Sequence, residues 1–404
     1  MTRPVVAALS LAGLLLTASV SSLPSPRPPE HGDSPARRLQ RFREEERGRH
    51  PLTARDAAAC LAEIARGFAG TGERSRAIEI LSEASGRDPE SGEILAELAR
   101  LYLQNGDYEF ASAALDASLE RTELRLAAPD LYAAIGEGFS AANRLEDAVA
   151  AWELAEKSGA EDPAVRARLE RARRELSVTS GQRLVQSEKF AVYSDAAVAE
   201  SVVAAAEAHL ETEYTRQREF FGAEDLPGPQ IVILYAGRRF FSLVAVPDWV
   251  SGVFDGKIRI SFDPSTGFTP ELRSVLSHEL AHAWIRFLSR DHAPGWLHEG
   301  LAQWCEGRRF PRKDFHAVFA RVPAFSLSEM EGNLGRRGDR AAARANYIEA
   351  LGLVEYLAFT RGEGAVVCLL RALSDGTSLD EALRREVSVT SAELVTRWKA
   401  WAGM

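Results

Sequence analysis

The sequence predicts a multidomain chain: an all-α solenoid of paired helices, then an α+β domain that closes in a long helical part. Three observations carry this expectation. An alanine- and leucine-rich region repeats itself at a spacing of about 34 residues. Near Val178 the character changes to short β-branched and aromatic runs set between turn residues. From about Ala341 helical patterning resumes, with breaks at Gly362-Glu363-Gly364 and at Asp375-Gly376. A chain of 404 residues is also too long for one ordinary core.

Composition narrows the function classes. Hydrophobic residues make up 46% and charged residues 26%, the balance of a globular chain rather than a disordered one. A net charge of −9 argues against nucleic acid as a partner, because phosphate binding needs a basic surface. The three cysteines, Cys60, Cys305 and Cys368, are too few and too scattered for a disulfide framework or a four-thiolate metal site. Each is expected to pack as a small apolar residue.

Residues 1–22 have the layout of a secretory signal: Arg3, an apolar run from Val5 to Val20, then small residues including Ser21 and Ser22. The run is also near the length of a membrane span, so cleavage and retention as an anchor both stand as readings. Either way the chain is expected to be exported, to a periplasm, cell envelope or the exterior, and to meet a membrane only through this segment. A proline-rich and charged linker follows over residues 23–52. Its arginines (Arg37, Arg38, Arg41, Arg43) and the run Glu44 to Glu46 suggest a solvated charged helix or tether.

Residues 53–177 carry the repeat. "GERSRAIEILSEA" at Gly72 is echoed by "GDYEFASAALDAS" at Gly106 and "NRLEDAVAAWELA" at Asn143. This period with paired helices is the tetratricopeptide signature. Small residues stand where helices must approach closely (Ala65, Ala99, Gly136; Ala77, Ala111, Ala148), and large apolar residues alternate with them. Three helix pairs make a stable stack, which the segment after Pro163 is expected to cap. Such a module suits protein partners.

Residues 178–404 form the second domain. "KFAVYSD" and "QIVILYA" read as strands, with an amphipathic helix from Ala196 to Phe221 between them. "SGVFDGKIRISFD" holds two further strands around Asp255-Gly256, a dipeptide suited to a tight hairpin. Residues Pro270 to Arg290 read as one helix, with Pro270 in the first turn and an apolar stripe through Leu272, Leu276 and Ala283.

That helix carries "HELAH". His278 and His282, four apart, project from one face and can grip a single metal ion. Glu279 is poorly placed to join them as a ligand but can reach water in an open coordination position, where a general base belongs. A zinc ion needs a third protein ligand. Asp291, His292, His298 and Glu299 are the candidates downstream. Ile285 and Leu288 occupy the steps where metzincins require glycine and histidine, which excludes that class.

With "HELAHAW" followed by "GWLHEGLAQW", the chain resembles the gluzincin metallopeptidases, thermolysin-like in site design, and in particular the peptidase MA-like domains of bacterial envelope proteins. The resemblance implies a zincin-like α+β fold from about Phe190 to the C-terminus, often preceded by tetratricopeptide repeats. It also implies Zn2+ held by His278, His282 and Glu299, with Glu279 as base. Gluzincins often add a tyrosine or histidine that faces the oxyanion. Tyr347 stands in a similar context, packing on its helix face with Leu351 being the other reading, while His292 and His298 are secondary candidates. Two departures stand out: only sixteen residues separate His282 from Glu299, and Gln303 occupies the place of the aspartate that orients a zinc-bound histidine.

The expectation is therefore an exported zinc peptidase whose repeats bind partners or position a protein substrate. Its rival is a catalytically inactive repeat scaffold of the cell envelope that keeps the peptidase fold. Hydrolysis of a non-peptide amide is a third reading that residues alone do not separate from the first.

Overall fold

The computed structural model describes residues 34–48, 52–121, 128–179, 181–237, 251–320, 322, 324–331 and 340–404. The expected signal or anchor segment lies outside them. Among the described residues no helix is long and apolar enough to cross a membrane. By packing, the chain divides into two units, Met1–Glu123 and Leu124–Met404.

Among the described residues the first unit is all-helical. Helices α1 (Pro35–Glu46), α2 (Ala54–Gly70), α3 (Arg74–Arg87), α4 (Gly92–Asn105) and α5 (Tyr108–Arg121) follow one another, the last four as two hairpins. The small residues noted in the repeat are the contact points: Ala65, Ala77, Ala99 and Ala111 are all at most 1% exposed. Leu61, Phe68 and Leu81 fill the space between, each contributing about 2 kcal/mol by leaving water.

Of the two readings of the charged part of residues 23–52, helix or tether, the structure gives the helix, packed rather than solvated. Pro35–Glu46 is a helix, capped by Ser34, whose Oγ accepts from the Arg37 N–H. It is no tether, because Phe42 is buried in the same core as Leu61 and Ile80. Arg43 and Arg87 also pair with Glu83 and Glu46 across α1 and α3.

The second unit begins with the third helix pair, α6 (Ala128–Ala141) and α7 (Leu145–Lys157), and with α8 (Pro163–Thr179). Gly136 and Ala148 are buried between the first two, as their small size anticipates. This boundary falls earlier than the sequence reading of 53–177 and 178–404. The reason is that the end of α8 belongs to the sheet that follows: Val178 packs on Ile233 and Tyr235.

Among the described residues the sheet has five strands: β1 (Arg183–Gln186), β2 (Phe190–Ser194), β3 (Gln230–Ala236), β4 (Gly252–Phe254) and β5 (Ile258–Phe262). Their order is β1-β2-β3-β5-β4. Strands β2, β3 and β5 are parallel, and both end strands run antiparallel to their neighbours. Helix α9 (Glu200–Phe221) makes the β2 to β3 crossover. Phe190, Val192, Val232, Leu234, Ile258 and Ile260 share a core with Leu210 and Tyr214 of α9 and with Leu280 and Trp284 of α10 (Pro270–Ser289). The alternate residues Ile233 and Tyr235 form a separate cluster with Val178. Helix α11 (Gly295–Cys305) and a short α12 (Phe315–Phe319) come next. The chain ends in α13 (Arg340–Arg361), α14 (Glu363–Ala372), α15 (Leu379–Val387) and α16 (Ser391–Ala402). The architecture is thus a helical repeat region followed by an α+β domain with a helical C-terminal part.

Candidate active site

Helix α10 starts on Thr269, whose Oγ1 accepts from the Leu272 N–H, and on Pro270 in the first turn. It ends abruptly: Arg290 and Asp291 both take positive φ, 48° and 64°. These two left-handed residues reverse the chain, so that α11 returns against α10 after a short connection. Glu299 on α11 thereby meets the histidine face of α10.

Three ligand atoms converge. His278 Nε2 lies 3.5 Å and His282 Nε2 lies 3.8 Å from Glu299 Oε2. Taken together, one ligand atom from each of the three residues falls within 4.8 Å of the others. Two ligands about 2.1 Å from a tetrahedral metal stand roughly 3.4 Å apart, so this separation suits one small ion. The imidazoles are nearly perpendicular, at 84°. The donor set points the same way: two imidazole nitrogens and a carboxylate oxygen are the ligand types that suit a zinc ion.

Each imidazole is held by its other nitrogen. His278 Nδ1 lies 3.2 Å from Glu306 Oε2, and Glu306 Oε1 also accepts from Ser274 Oγ at 2.6 Å and Arg308 Nε at 2.9 Å. His282 Nδ1 lies 2.6 Å from His298 Nδ1. An imidazole that turns the Nε2 lone pair to a metal carries its proton on Nδ1 and donates it. Glu306 and His298 are the acceptors that fix those tautomers. Glu306 stands seven residues after Glu299, two helical turns further along the same face. Sequence reasoning looked for this carboxylate at the position of Gln303. Gln303 Nε2 instead donates to the carbonyls of Glu299 and Tyr347 and ties α11 to α13.

Electrostatics separate the groups. Burial pushes His278 down, but its hydrogen bonds to Glu299 and Glu306 outweigh this and hold it up at about 10. His282 is driven well below the usual histidine range by burial and by the neighbouring His298 and His278. Glu279 is 5% exposed. Burial first, then the carboxylates of Glu299 and Glu306, raise it to about 8 against the pull of His278.

Two close approaches shape the site. A methyl group at Gly252 of β4 would stand 2.6 Å from Glu279 Oε1 and from Val275, so only glycine lets the end strand lie this close to the carboxylate. A methyl at Gly300 would stand 2.4 Å from the Ala350 carbonyl, so glycine also sets the spacing of α11 and α13. Two residues on from Gly252, the Phe254 ring lies against His282, 6.5 Å between centroids. Tyr347 on α13 is partly buried, and among the described residues its hydroxyl has no hydrogen-bond partner. Burial, then the charges of Glu299 and Glu279, raise its pKa and keep it protonated.

The structure thus gathers His278, His282 and Glu299 with Glu279 beside them, and Tyr347 feels the charges of Glu299 and Glu279. It does not bring in Asp291, which pairs with Arg286, or His292, whose Nδ1 lies 3.1 Å from the Ser289 carbonyl at the end of α10. Cys305 is buried, and burial pushes its thiol up to about 12, so it packs as an apolar residue.

Comparison with known families agrees with this geometry. Residues 239–403 match the family model of the Peptidase MA superfamily, and residues 69–135 match that of the tetratricopeptide repeat. No curated protein matches the chain. The chain therefore carries a peptidase-like domain joined to a protein-interaction module.

Proposed function

From a Peptidase MA superfamily domain that follows tetratricopeptide repeats, we propose that the chain is an exported zinc-dependent peptidase acting on peptide or protein substrates. One observation carries the reading: two imidazole nitrogens and a carboxylate oxygen converge at metal-ligand spacing with a buried glutamate beside them. In this reading His278 Nε2, His282 Nε2 and Glu299 Oε2 hold the zinc. Bound there, zinc supplies Lewis acidity and a water of lowered pKa.

The protein's own groups do the rest. Glu279 takes a proton from the attacking water on its carboxylate and passes it to the leaving amine nitrogen. Tyr347, protonated and with no hydroxyl partner among the described residues, donates its hydroxyl to the oxyanion as charge develops. Glu306 and His298 keep the Nδ1 protons of His278 and His282 in place, so that both Nε2 lone pairs stay turned inward. The end strand β4 offers an edge along which an extended peptide can pair, bringing its backbone past Glu279. The apolar segment over residues 1–22 supports export, and the repeats support binding of a protein partner or of the substrate itself.

The test is metal content. One zinc per chain is expected, and alanine at His278, His282 or Glu299 should each lower occupancy sharply. Full occupancy in Glu299→Ala would show that another residue, His298 first, completes the site. A wild type that binds no zinc would favour the inactive scaffold.

A further inference from the structure

The helix α8, which the sequence presents as the cap of the repeats, ends on the catalytic sheet. Val165, Leu169 and Ala172 are buried along its first turns. Its next inward residue is a charge: Glu175, only 5% exposed. The Glu175 carboxylate accepts two N–H bonds from Arg259 of β5, at 2.8 and 3.2 Å. Lys257 Nζ lies 3.4 Å from it and donates to Asn143 Oδ1 at 2.8 Å. Arg259 also donates to Asp255 at 3.0 Å and to the Tyr235 hydroxyl at 2.8 Å, and Asp255 pairs with Arg171 of α8. Asp255, Lys257 and Arg259 of the β4–β5 hairpin are thus gripped by Asn143, Arg171 and Glu175 from the α6–α7 turn and α8.

Burying such charges is costly unless every lone pair and proton is satisfied, and an apolar packing would hold the hairpin as firmly. What the ionic grip adds is a defined position. The other face of the hairpin shows where position matters. Val253 is paired with Arg259 across the two strands, while its neighbours Gly252 and Phe254 point the opposite way. Gly252 lies against Glu279 with no room for a methyl group, and Phe254 lies against His282. A small shift of this hairpin therefore moves the wall that confines the base.

We infer that Glu175 and Arg259 are positioning residues for Glu279, acting through β4, so that the last helices of the repeat module are a working part of the peptidase. The inference rests on the proposed function for its catalytic consequence, but the grip can be measured without a substrate.

The experiment uses the full chain with Glu175→Gln, Glu175→Asp and the double variant Glu175→Leu/Arg259→Met. The double variant removes both charges together while Lys257 keeps Asn143 and Asp255 keeps Arg171, which keeps the fold testable if Glu175→Gln fails to fold. Amide hydrogen exchange over residues 251–262 should speed up about tenfold or more in the double variant. Exchange over residues 270–289 and the zinc content should stay as in wild type. On casein-derived peptides, kcat should fall about tenfold or more with little change in KM. Glu175→Asp, which keeps the charge, should recover part of that loss. Unchanged exchange over 251–262 in the double variant would overturn the inference. So would faster exchange throughout the domain with loss of zinc, which would make the cluster a general stabiliser. Failure of the proposed function reads out separately, as turnover that survives Glu279→Gln.

Discussion

Replacing Glu306 by alanine takes from His278 Nδ1 its acceptor at 3.2 Å and leaves the ring free to turn. Loss of a group that orients a ligand typically costs about 10- to 100-fold in metal affinity, and that is the weakening expected in a zinc competition with a chelator. An unchanged affinity would place Glu306 outside the site. Tyr347→Phe removes one hydroxyl and keeps the ring. If the hydroxyl faces the oxyanion, kcat should fall roughly ten- to thousand-fold with little change in KM or Tm. If Tyr347 only packs, kcat stays and stability falls by at most about 1 kcal/mol. The His278, Glu279 and His282 pattern was legible because four-residue spacing places two side chains on one helical face. Glu306 was not, because it lies beyond the helix end and shows its role only once α11 is laid against Ser274 and His278.

At the scale of elements, α11 and α13 hold the site together. Gly300→Ala puts a methyl 2.4 Å from the Ala350 carbonyl and should push α11 and Glu299 away from α13. A loss of about 1–3 kcal/mol is expected, as for other overpacked contacts, with weaker zinc binding in the same variant. Helix α13 also buries Glu349 completely: Oε2 accepts from the Phe325 N–H at 2.9 Å and Oε1 has no partner among the described residues. Burial raises this carboxyl from 4.5 to about 7. A carboxyl raised on folding stabilises fully below its unfolded pKa, and that stability is lost as pH rises through the folded pKa. Glu349 should therefore contribute stability on the order of 3 kcal/mol at pH 4 that is gone by pH 8. Glu349→Gln should flatten that part of the Tm profile between pH 4.5 and 7, and an unchanged slope would show that Glu349 titrates normally. The strands around Asp255-Gly256 were readable from turn chemistry and β-branched runs. Strand β1 was not, because three of its four residues are exposed and show no alternation. Helix α1 was legible as a charged helix, but its packing was not, since one buried residue, Phe42, is its main anchor.

At the scale of the whole molecule, the division of labour between repeats and peptidase domain is less clean than the repeat period implies. The period predicts an independent stack over residues 53–177, whereas packing joins everything from Leu124 onward. Beside Val178, the cause is Glu175, which in "RARLERARREL" reads as one more solvated charge and is in fact buried under Arg259. A fragment starting at Leu124 should therefore melt as one cooperative unit. One starting at Gln182 should aggregate or melt lower, because it removes Val178 from Ile233 and Tyr235 and leaves Arg259 without Glu175. Equal melting of the two fragments would show that α6–α8 do not support the sheet.

The central claim is that Glu279 moves a proton beside a zinc held by His278, His282 and Glu299. The most direct measurement is the rate at which wild type and Glu279→Gln, each carrying one zinc per chain, release new N-termini from a mixed peptide library. The wild type should cleave, and the variant should be slower by about 10²- to 10⁴-fold, the usual contribution of a general base. Equal rates in the two proteins, or no cleavage by zinc-loaded wild type, would contradict the account.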